Sequence, residues 1–283
     1  MKIAIASGKG GTGKSTISTN LAYLLSKSEK NIALVDCDVE EPNCHIFLKP
    51  SYNDRQKTYI TIPKINSDKC IKCGKCAEVC QFNALAFVQD KVLLFSDLCH
   101  GCESCKINCP ANAIEDDKRN IGEIESGKAY DFYFIQGKSR IGEAMSSPLI
   151  KATKKYADLK DINIQILDCP PGTSCPVISA VNGVTYVILV TEPTPFGFND
   201  LKLAVGVMRK MNLPFGIVIN RSSENDKLIE NWATEEKIDI LTKIPDSIEV
   251  AKCYSKGQLI LEANNNFEKY FTPLIEKLKE LKR

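Results

Sequence analysis

Short apolar runs alternate along the chain with stretches whose apolar residues recur at helical spacing. Lys2–Ala6, Asn31–Asp36, Ile164–Asp168, Thr185–Thr191, Phe215–Asn220 and Asp239–Ile244 are apolar runs of strand length, the pattern of strands buried on both faces. Between them Ser15–Lys27 reads as a helix, and Leu201, Val205, Met208 and Met211 share one helical stripe. Strands alternating with helices predict an α/β fold: a mostly parallel sheet covered by helices on both faces. The tail, Asn266–Arg283, predicts an amphipathic helix with Phe267, Phe271, Leu274, Leu278 and Leu281 on one side, docked on the sheet.

One stretch breaks this rhythm. From about Ile65 to Asp117 the chain carries eight cysteines and no long helical pattern. It reads as an inserted module, flanked by Lys57–Ile62 and Ile121–Gln136 as hairpin strands that return the chain to the main sheet. The predicted organisation is a main domain made of residues 1–64 and 118–283, interrupted by a module at 65–117.

Composition narrows the functional classes. Of 283 residues 43% are apolar, enough for a sizeable core, and 25% are charged, as on an ordinary surface. A net charge of +2 gives no electrostatic case for nucleic acid or an anionic membrane. Met1-Lys2 leads straight into a strand rather than a signal peptide, and no apolar run is long enough to cross a bilayer. A cytoplasmic protein with no stable membrane anchor is expected. In that reducing compartment thirteen cysteines point to metal chemistry rather than to disulfides.

Gly8-Lys9-Gly10-Gly11-Thr12-Gly13-Lys14-Ser15 fits the phosphate-loop pattern and lies between a predicted strand and a predicted helix, the context that pattern requires. Its glycines let backbone N–H groups turn inward around phosphate oxygens, and the helix N-terminus adds positive potential. Lys14 is expected to reach the β and γ phosphates, and Ser15 to ligate Mg²⁺. A glycine-rich turn without a ligand would not need this flanking strand and helix.

Extended to Thr16, the same residues resemble the deviant Walker A of the MinD, ParA, Mrp and nitrogenase iron protein superfamily. The resemblance implies a P-loop ATPase in which Lys9 crosses an ATP-bridged homodimer to the partner's nucleotide. Asp36-Cys37-Asp38 resembles switch I, which implies that Asp38 activates the attacking water and Asp36 lies near the metal. Asp168-Cys169-Pro170-Pro171-Gly172 resembles Walker B with switch II, which implies that Asp168 holds a Mg²⁺-bound water. Asn220-Arg221 resembles the adenine-reading asparagine segment, and Ile244-Pro245-Asp246 the loop that cradles the base. Cys175 lies seven residues after Asp168, as does a cysteine that ligates a dimer-bridging cluster in the nitrogenase iron protein. The second cysteine such a site needs is absent from Ile135–Met145.

The module carries Cys70-x2-Cys73-x2-Cys76-x3-Cys80 and Cys99-x2-Cys102-x2-Cys105-x3-Cys109-Pro110. This resembles the bacterial ferredoxin run, in which three close thiolates hold one [4Fe-4S] cluster and the fourth ligates the other. Cys70, Cys73, Cys76 and Cys109 should therefore hold one cluster, and Cys99, Cys102, Cys105 and Cys80 the second. Zinc sites pair two-cysteine knuckles instead. Gln81 stands where proline usually follows the fourth cysteine, which changes no ligand. Cys44 and Cys253 read as small buried hydrophobes, and His100 as a solvated loop residue.

The expected protein is a slow, partner-stimulated ATP hydrolase that binds ATP, Mg²⁺ and two [4Fe-4S] clusters. Its nucleotide state would control the clusters, either in electron transfer to a redox partner or in metallocluster assembly with a partner protein. A cluster scaffold or carrier that uses ATP as a switch is the alternative. A MinD-like positioning ATPase is a second one, which leaves the insertion unexplained.

Overall fold

The computed structural model describes residues 1–282; Arg283, the end of the expected C-terminal helix, lies outside the described residues. β1 (Lys2–Ala6) runs through the glycine loop into α1 (Lys14–Ser26), followed by β2 (Ile32–Asp36), α2 (Cys44–Leu48) and β3 (Ser51–Ile65). The cysteine-rich segment then contributes α3 (Lys75–Glu78), β4 (Leu85–Val88), β5 (Lys91–Leu94) and α4 (Ser104–Ile107), with a one-turn helix at Ser96–Leu98. The chain returns through β6 (Ile114–Ala129) and β7 (Phe132–Ser139), then α5 (Ser147–Asp158), β8 (Ile164–Asp168), α6 (Cys175–Val181), β9 (Tyr186–Thr191) and α7 (Pro195–Lys210). It closes with β10 (Phe215–Ser222), α8 (Lys227–Glu235), β11 (Ile240–Pro245), α9 (Ile248–Ser255), α10 (Ile260–Ala263) and α11 (Glu268–Leu281).

The main sheet has nine strands in the order β11-β10-β9-β1-β8-β2-β7-β6-β3. Strands β11 through β7 are mutually parallel, and the hairpin β6–β3 adds antiparallel pairings at one edge. Alternation along each strand feeds two cores. Ile3 and Ile5 of β1 join Leu34, Leu21 and Phe271 beneath α1 and α11, while Ala4 and Ala6 join Val35, Leu167 and Leu201 beneath α5, α6 and α7. Phe267, Phe271, Leu274 and Leu278 are all buried, so the amphipathic tail is a docked helix. Among the described residues no helix is long and apolar enough to cross a membrane.

The edge hairpin is longer than its sequence pattern suggests. β3 and β6 pair from Ser51↔Lys128 to Ile65↔Ile114, whereas β6 pairs with β7 only from Gly122 onward. Tyr59–Ile65 and Ile114–Asn120 therefore run past β7 and carry residues 66–113 away from the sheet. The expected flank Ile121–Gln136 is two strands joined at Tyr130-Asp131, where Tyr130 adopts φ 50°.

Residues 66–113 fold as two copies of one pattern. Lys72 and Gly101 both have positive φ (58° and 67°), as do Gly74 and Glu103 (74° and 60°) and Asn83 and Asn112 (53° and 47°). Each copy places a one-turn α-helix directly after its second positive-φ residue, α3 after Gly74 and α4 after Glu103, with the third cysteine of the run inside it. The apolar interior is small: Ile62, Ala84 and Cys99 form one nucleus, and Leu85, Cys105 and Ile114 another.

Candidate nucleotide cleft and cysteine cavities

The phosphate loop joins β1 to α1 at the carboxyl edge of the parallel strands, where open α/β sheets bind ligands. Gly13 caps α1 with φ 95°, and a Cβ there would overlap the Asn220 amide. Asn220 Nδ2 donates to the Thr12 carbonyl at 2.8 Å. Gly8 is equally constrained, since a Cβ would overlap the Asp200 backbone of α7. The sequence reading assigns Asn220 to a base; here its amide also braces the phosphate loop.

A cleft of about 380 Å³, within the usual range for small-molecule sites, opens over this loop. Of the predicted nucleotide residues, Gly10, Gly11, Gly13, Lys14, Ser15, Thr16, Asp38, Asn220, Arg221 and Pro245 line it. Gly8, Lys9, Thr12, Asp36 and Asp168 lie outside its wall. Glu41, Asn43 and Pro171 complete the phosphate end, and Val250, Ala251 and Tyr254 of α9 supply an apolar wall opposite Pro245 that the sequence reading missed. An amphipathic helix straight after the Pro245 loop was the available signal.

Beside the cleft, buried carboxylates crowd together. Ser15 Oγ donates to Asp168 Oδ2 at 2.7 Å, while buried Asp168 Oδ1 has no partner. Asp36 accepts N–H bonds from Asp38 (3.1 Å), Asn43 (3.2 Å) and Cys44 (3.1 Å), so it folds the switch-like loop around itself. Burial and the charge of Asp168 push the Asp36 carboxyl well above the ordinary carboxylate range. Burial raises Asp168 too, against the opposing Ser15 bond. Asp38 is pushed up to about 6, by burial and then by Asp168, with Lys14 opposing. Cys44 is buried as expected, yet it is more than filler: its thiol lies 3.2 Å from Asp168 Oδ2, and Asp36, Cys44 and Asp168 gather their donor atoms within 4.8 Å. The orphaned Asp168 oxygen beside the Ser15 hydroxyl fits a divalent cation.

Lys9 turns away from its own cleft. Its ammonium pairs with Glu192, a buried residue at the end of β9 that also lies 3.3 Å from Arg221. Glu192 is a site residue that the sequence reading did not identify. The second switch-like segment touches the phosphate loop, because Gly172 N–H donates to the Ser7 carbonyl at 3.0 Å. Cys37 and Cys169 are buried just past the ends of the adjacent strands β2 and β8, and Cys175 is exposed at the start of α6.

The eight cysteines of the module separate into two groups of four. Cys70, Cys73, Cys76 and Cys109 line one small cavity; Cys80, Cys99, Cys102 and Cys105 line another. These are the groupings expected from the spacing, with the fourth thiol of each run crossing to the other group. The copies match in detail: Ala84 N–H donates to Cys80 Sγ and Ala113 N–H to Cys109 Sγ, both at 3.3 Å. Burial raises the Cys76 and Cys99 thiols and pushes Cys105 up to about 11. Cys102 is lowered, mainly by the Ser104 backbone N–H. Thiols held protonated by burial ligate only when a metal displaces their protons, and two closed sets of four thiols suit cubane clusters. The second cavity is nearer the sheet, since Thr61, Ile62 and Pro63 of β3 line it. His100 is exposed, but it stacks on Phe82 at 3.7 Å beside that cavity rather than standing free in solvent.

A family model described as the CobQ/CobB/MinD/ParA nucleotide binding domain matches residues 3–260. An uncharacterized protein of Methanocaldococcus jannaschii is 38% identical over 94% of this chain and 93% of its own length. An iron-sulfur cluster carrier protein of Pyrococcus horikoshii is 26% identical over 98% of this chain and 85% of its own. Among solved structures, the cell division ATPase MinD of Pyrococcus furiosus superposes with a TM-score of 0.62 at 19% identity, covering 99% of this chain and 98% of that one. That likeness shows the fold: an α/β, mostly parallel sheet of the MinD-like P-loop type.

Proposed function

Because the chain belongs to the CobQ/CobB/MinD/ParA nucleotide-binding family, we propose that it is an ATP-hydrolysing iron–sulfur protein whose nucleotide state controls two [4Fe-4S] clusters. It passes electrons to a redox partner or serves a partner in metallocluster assembly. The observation that carries this reading is the pair of four-thiol cavities borne on a hairpin of the ATPase sheet. Residues 65–117 act as a ferredoxin-like insertion in a domain formed by 1–64 and 118–283.

In this reading the Gly8–Thr16 loop holds the triphosphate, Lys14 neutralises its β and γ oxygens, and Asn220, Arg221 and Pro245 flank the base. Ser15 and Asp168 hold Mg²⁺, which supplies charge neutralisation at the transferring phosphoryl group. Asp38, poised near neutrality on the cleft wall, accepts a proton from the attacking water. Lys9 leaves Glu192 and joins the nucleotide of a second copy, making the active form an ATP-dependent homodimer. Cys70, Cys73, Cys76 and Cys109 ligate one cluster, and Cys80, Cys99, Cys102 and Cys105 the other.

Anaerobic purification with iron and sulfide analysis tests the cluster half, with about eight of each expected per chain; stoichiometric zinc without sulfide overturns it. Mg²⁺-dependent ATP hydrolysis tests the other half, and normal turnover by Asp38→Ala removes the assigned role of Asp38. A second reading, a cluster carrier with ATP as its switch, draws on the carrier named among the relatives and on exposed Cys73 and Cys102. Incubation with an apo-ferredoxin separates the two: a carrier loses its iron to the acceptor, whereas an electron donor reduces a loaded ferredoxin and keeps its own clusters.

A further inference from the structure

The switch-like loop and the second cysteine cavity are joined by a short chain of contacts. The carbonyl of Val39, next to Asp38, accepts the Ser139 N–H at the end of β7 at 2.8 Å. Gly137 makes room for that approach, since a Cβ there would lie 2.6 Å from Val39 Cγ1. The following residue, Arg140, anchors its backbone by donating to the Ile121 carbonyl of β6 at 3.0 Å. Its guanidinium donates to Asp97 Oδ1 at 2.7 Å. Asp97 sits on the one-turn helix Ser96–Leu98, and the Ser96 carbonyl of that helix accepts the N–H of Cys99 at 3.1 Å.

The joint has a firm footing. Arg119 of β6 lies 3.7 Å from the same Asp97 oxygen and is gripped by Glu143; the Arg119 and Glu143 side chains are only 6% and 1% exposed. Arg140 is also within 3.8 Å of Glu143. An isolated surface ion pair holds little. Here the outer pair, Arg140 with Asp97, is hinged on a buried inner one, which limits how the outer pair can move. Beside the first cavity, by contrast, the ion pair runs from Lys69 to Glu115 of β6 at 3.6 Å and stays between the cysteine segment and its hairpin.

We propose that Arg140 is a positioning residue that transmits the state of the Asp38 loop to the Cys99 loop through Asp97. Nucleotide would therefore act on the second cluster, held by Cys80, Cys99, Cys102 and Cys105, and leave the first unaffected. This rests on the proposed function, in that the thiols hold clusters and the Asp38 loop responds to γ-phosphate. A loop that orders around γ-phosphate is an established kind of bistable element, and the shift it imposes is bounded by the difference in nucleotide affinity between its two states.

The test uses the full-length, cluster-loaded protein with Mg²⁺ and either ADP or a non-hydrolysable ATP analogue. Electron paramagnetic resonance of the reduced protein and amide hydrogen exchange are read on wild type, Arg140→Ala, Arg140→Lys and Asp97→Asn. In wild type the analogue is expected to change one cluster's signal and the protection of residues 96–105, with residues 68–78 unmoved. Arg140→Ala and Asp97→Asn are expected to lose both changes while keeping wild-type iron content and saturable ATP binding, and Arg140→Lys to recover part of them. Full nucleotide responses in Arg140→Ala and Asp97→Asn overturn the proposal, as does a response centred on residues 68–78. A wild type that binds ATP and iron fully yet responds in neither measurement also overturns it, leaving the ATP-binding iron–sulfur reading intact. A wild type without cluster iron or without ATP binding instead overturns the proposed function on which it rests.

Discussion

The nucleotide cleft and the cysteine segment both gather groups that repel one another, but they restrain them by different means. At the cleft, Asp36 and Asp168 end strands whose residues are almost wholly buried in two large cores, and Asp38 follows two residues after Asp36. That scaffold is packed by the main domain itself, and the burial and crowding of these carboxylates appear as raised pKa values. In the segment, eight thiols are restrained by turns, one-turn helices and two small apolar nuclei in which cysteines themselves take part. A segment of fewer than 50 or so residues rarely folds on apolar burial alone. The difference teaches that the cleft is preformed and its ligand optional to folding, whereas the cysteine segment, if its thiols hold clusters as proposed, would need its metal to fold.

The largest expected effect breaks the comparison at its weak side. Stripping iron with a chelator should abolish amide protection across residues 66–113 while β1, β2 and β8 keep theirs, as read by hydrogen exchange. Retained protection in the stripped segment would show that its small nuclei suffice. Next, on the proposed role of Lys14, Lys14→Ala would remove two charge-assisted phosphate contacts of about 1.5–3 kcal/mol each, so ATP affinity should fall on the order of 10²–10⁴-fold. Calorimetric titration measures this, and iron content should not change.

The third effect sharpens the reading of the cleft as a strained but stable scaffold. Asp38 has a folded pKa of about 6, above its ordinary 3.8. Folding therefore favours its protonated form: the contribution is fully present below pH 3.8 and is lost as pH rises through about 6. Asp38→Asn, free of nucleotide and Mg²⁺, should be more stable than wild type above pH 6, by on the order of 3 kcal/mol. The gap should close toward pH 4. Paired denaturation curves check the sign, and a gap that widens on acidification contradicts it. The smallest effect concerns the brace on the phosphate loop. Asn220→Ala leaves the Thr12 carbonyl without its donor and should cost about 1 kcal/mol of stability, together with some ATP affinity.

What could be read from the sequence follows from which interactions are local. The phosphate loop and the cysteine runs were legible because their chemistry fixes the spacing of neighbouring residues. The strands β1 and β2 were legible because burial on both faces leaves no polar positions in their centres, and β8 because Gln165 is the one polar residue inside it. Glu192 was not legible as the partner of Lys9, because the two lie 183 positions apart and meet only when β9 pairs with β1. Cys44 looked like core filler because nothing in its own segment reveals Asp168 beside it. The turn between β6 and β7 was missed because Tyr130, not glycine or asparagine, takes the left-handed conformation. The expected strand began only at Lys57 because Ser51–Gln56, the first part of this edge strand, is exposed and carries no apolar alternation.

Ile65 pairs directly with Ile114, and this decides how the cysteine segment is mounted on the sheet. Partners opposite one another in an antiparallel ladder have Cα atoms roughly 4.5–5.5 Å apart, a gap that a tight turn closes. The cysteine segment thus enters and leaves through a doorway one rung wide. A cassette mounted in this way can be acquired, exchanged or deleted without stretching the ladder beneath it. The β3–β6 hairpin is thus a socket in the mechanical sense: the ladder beneath residues 66–113 is complete without them.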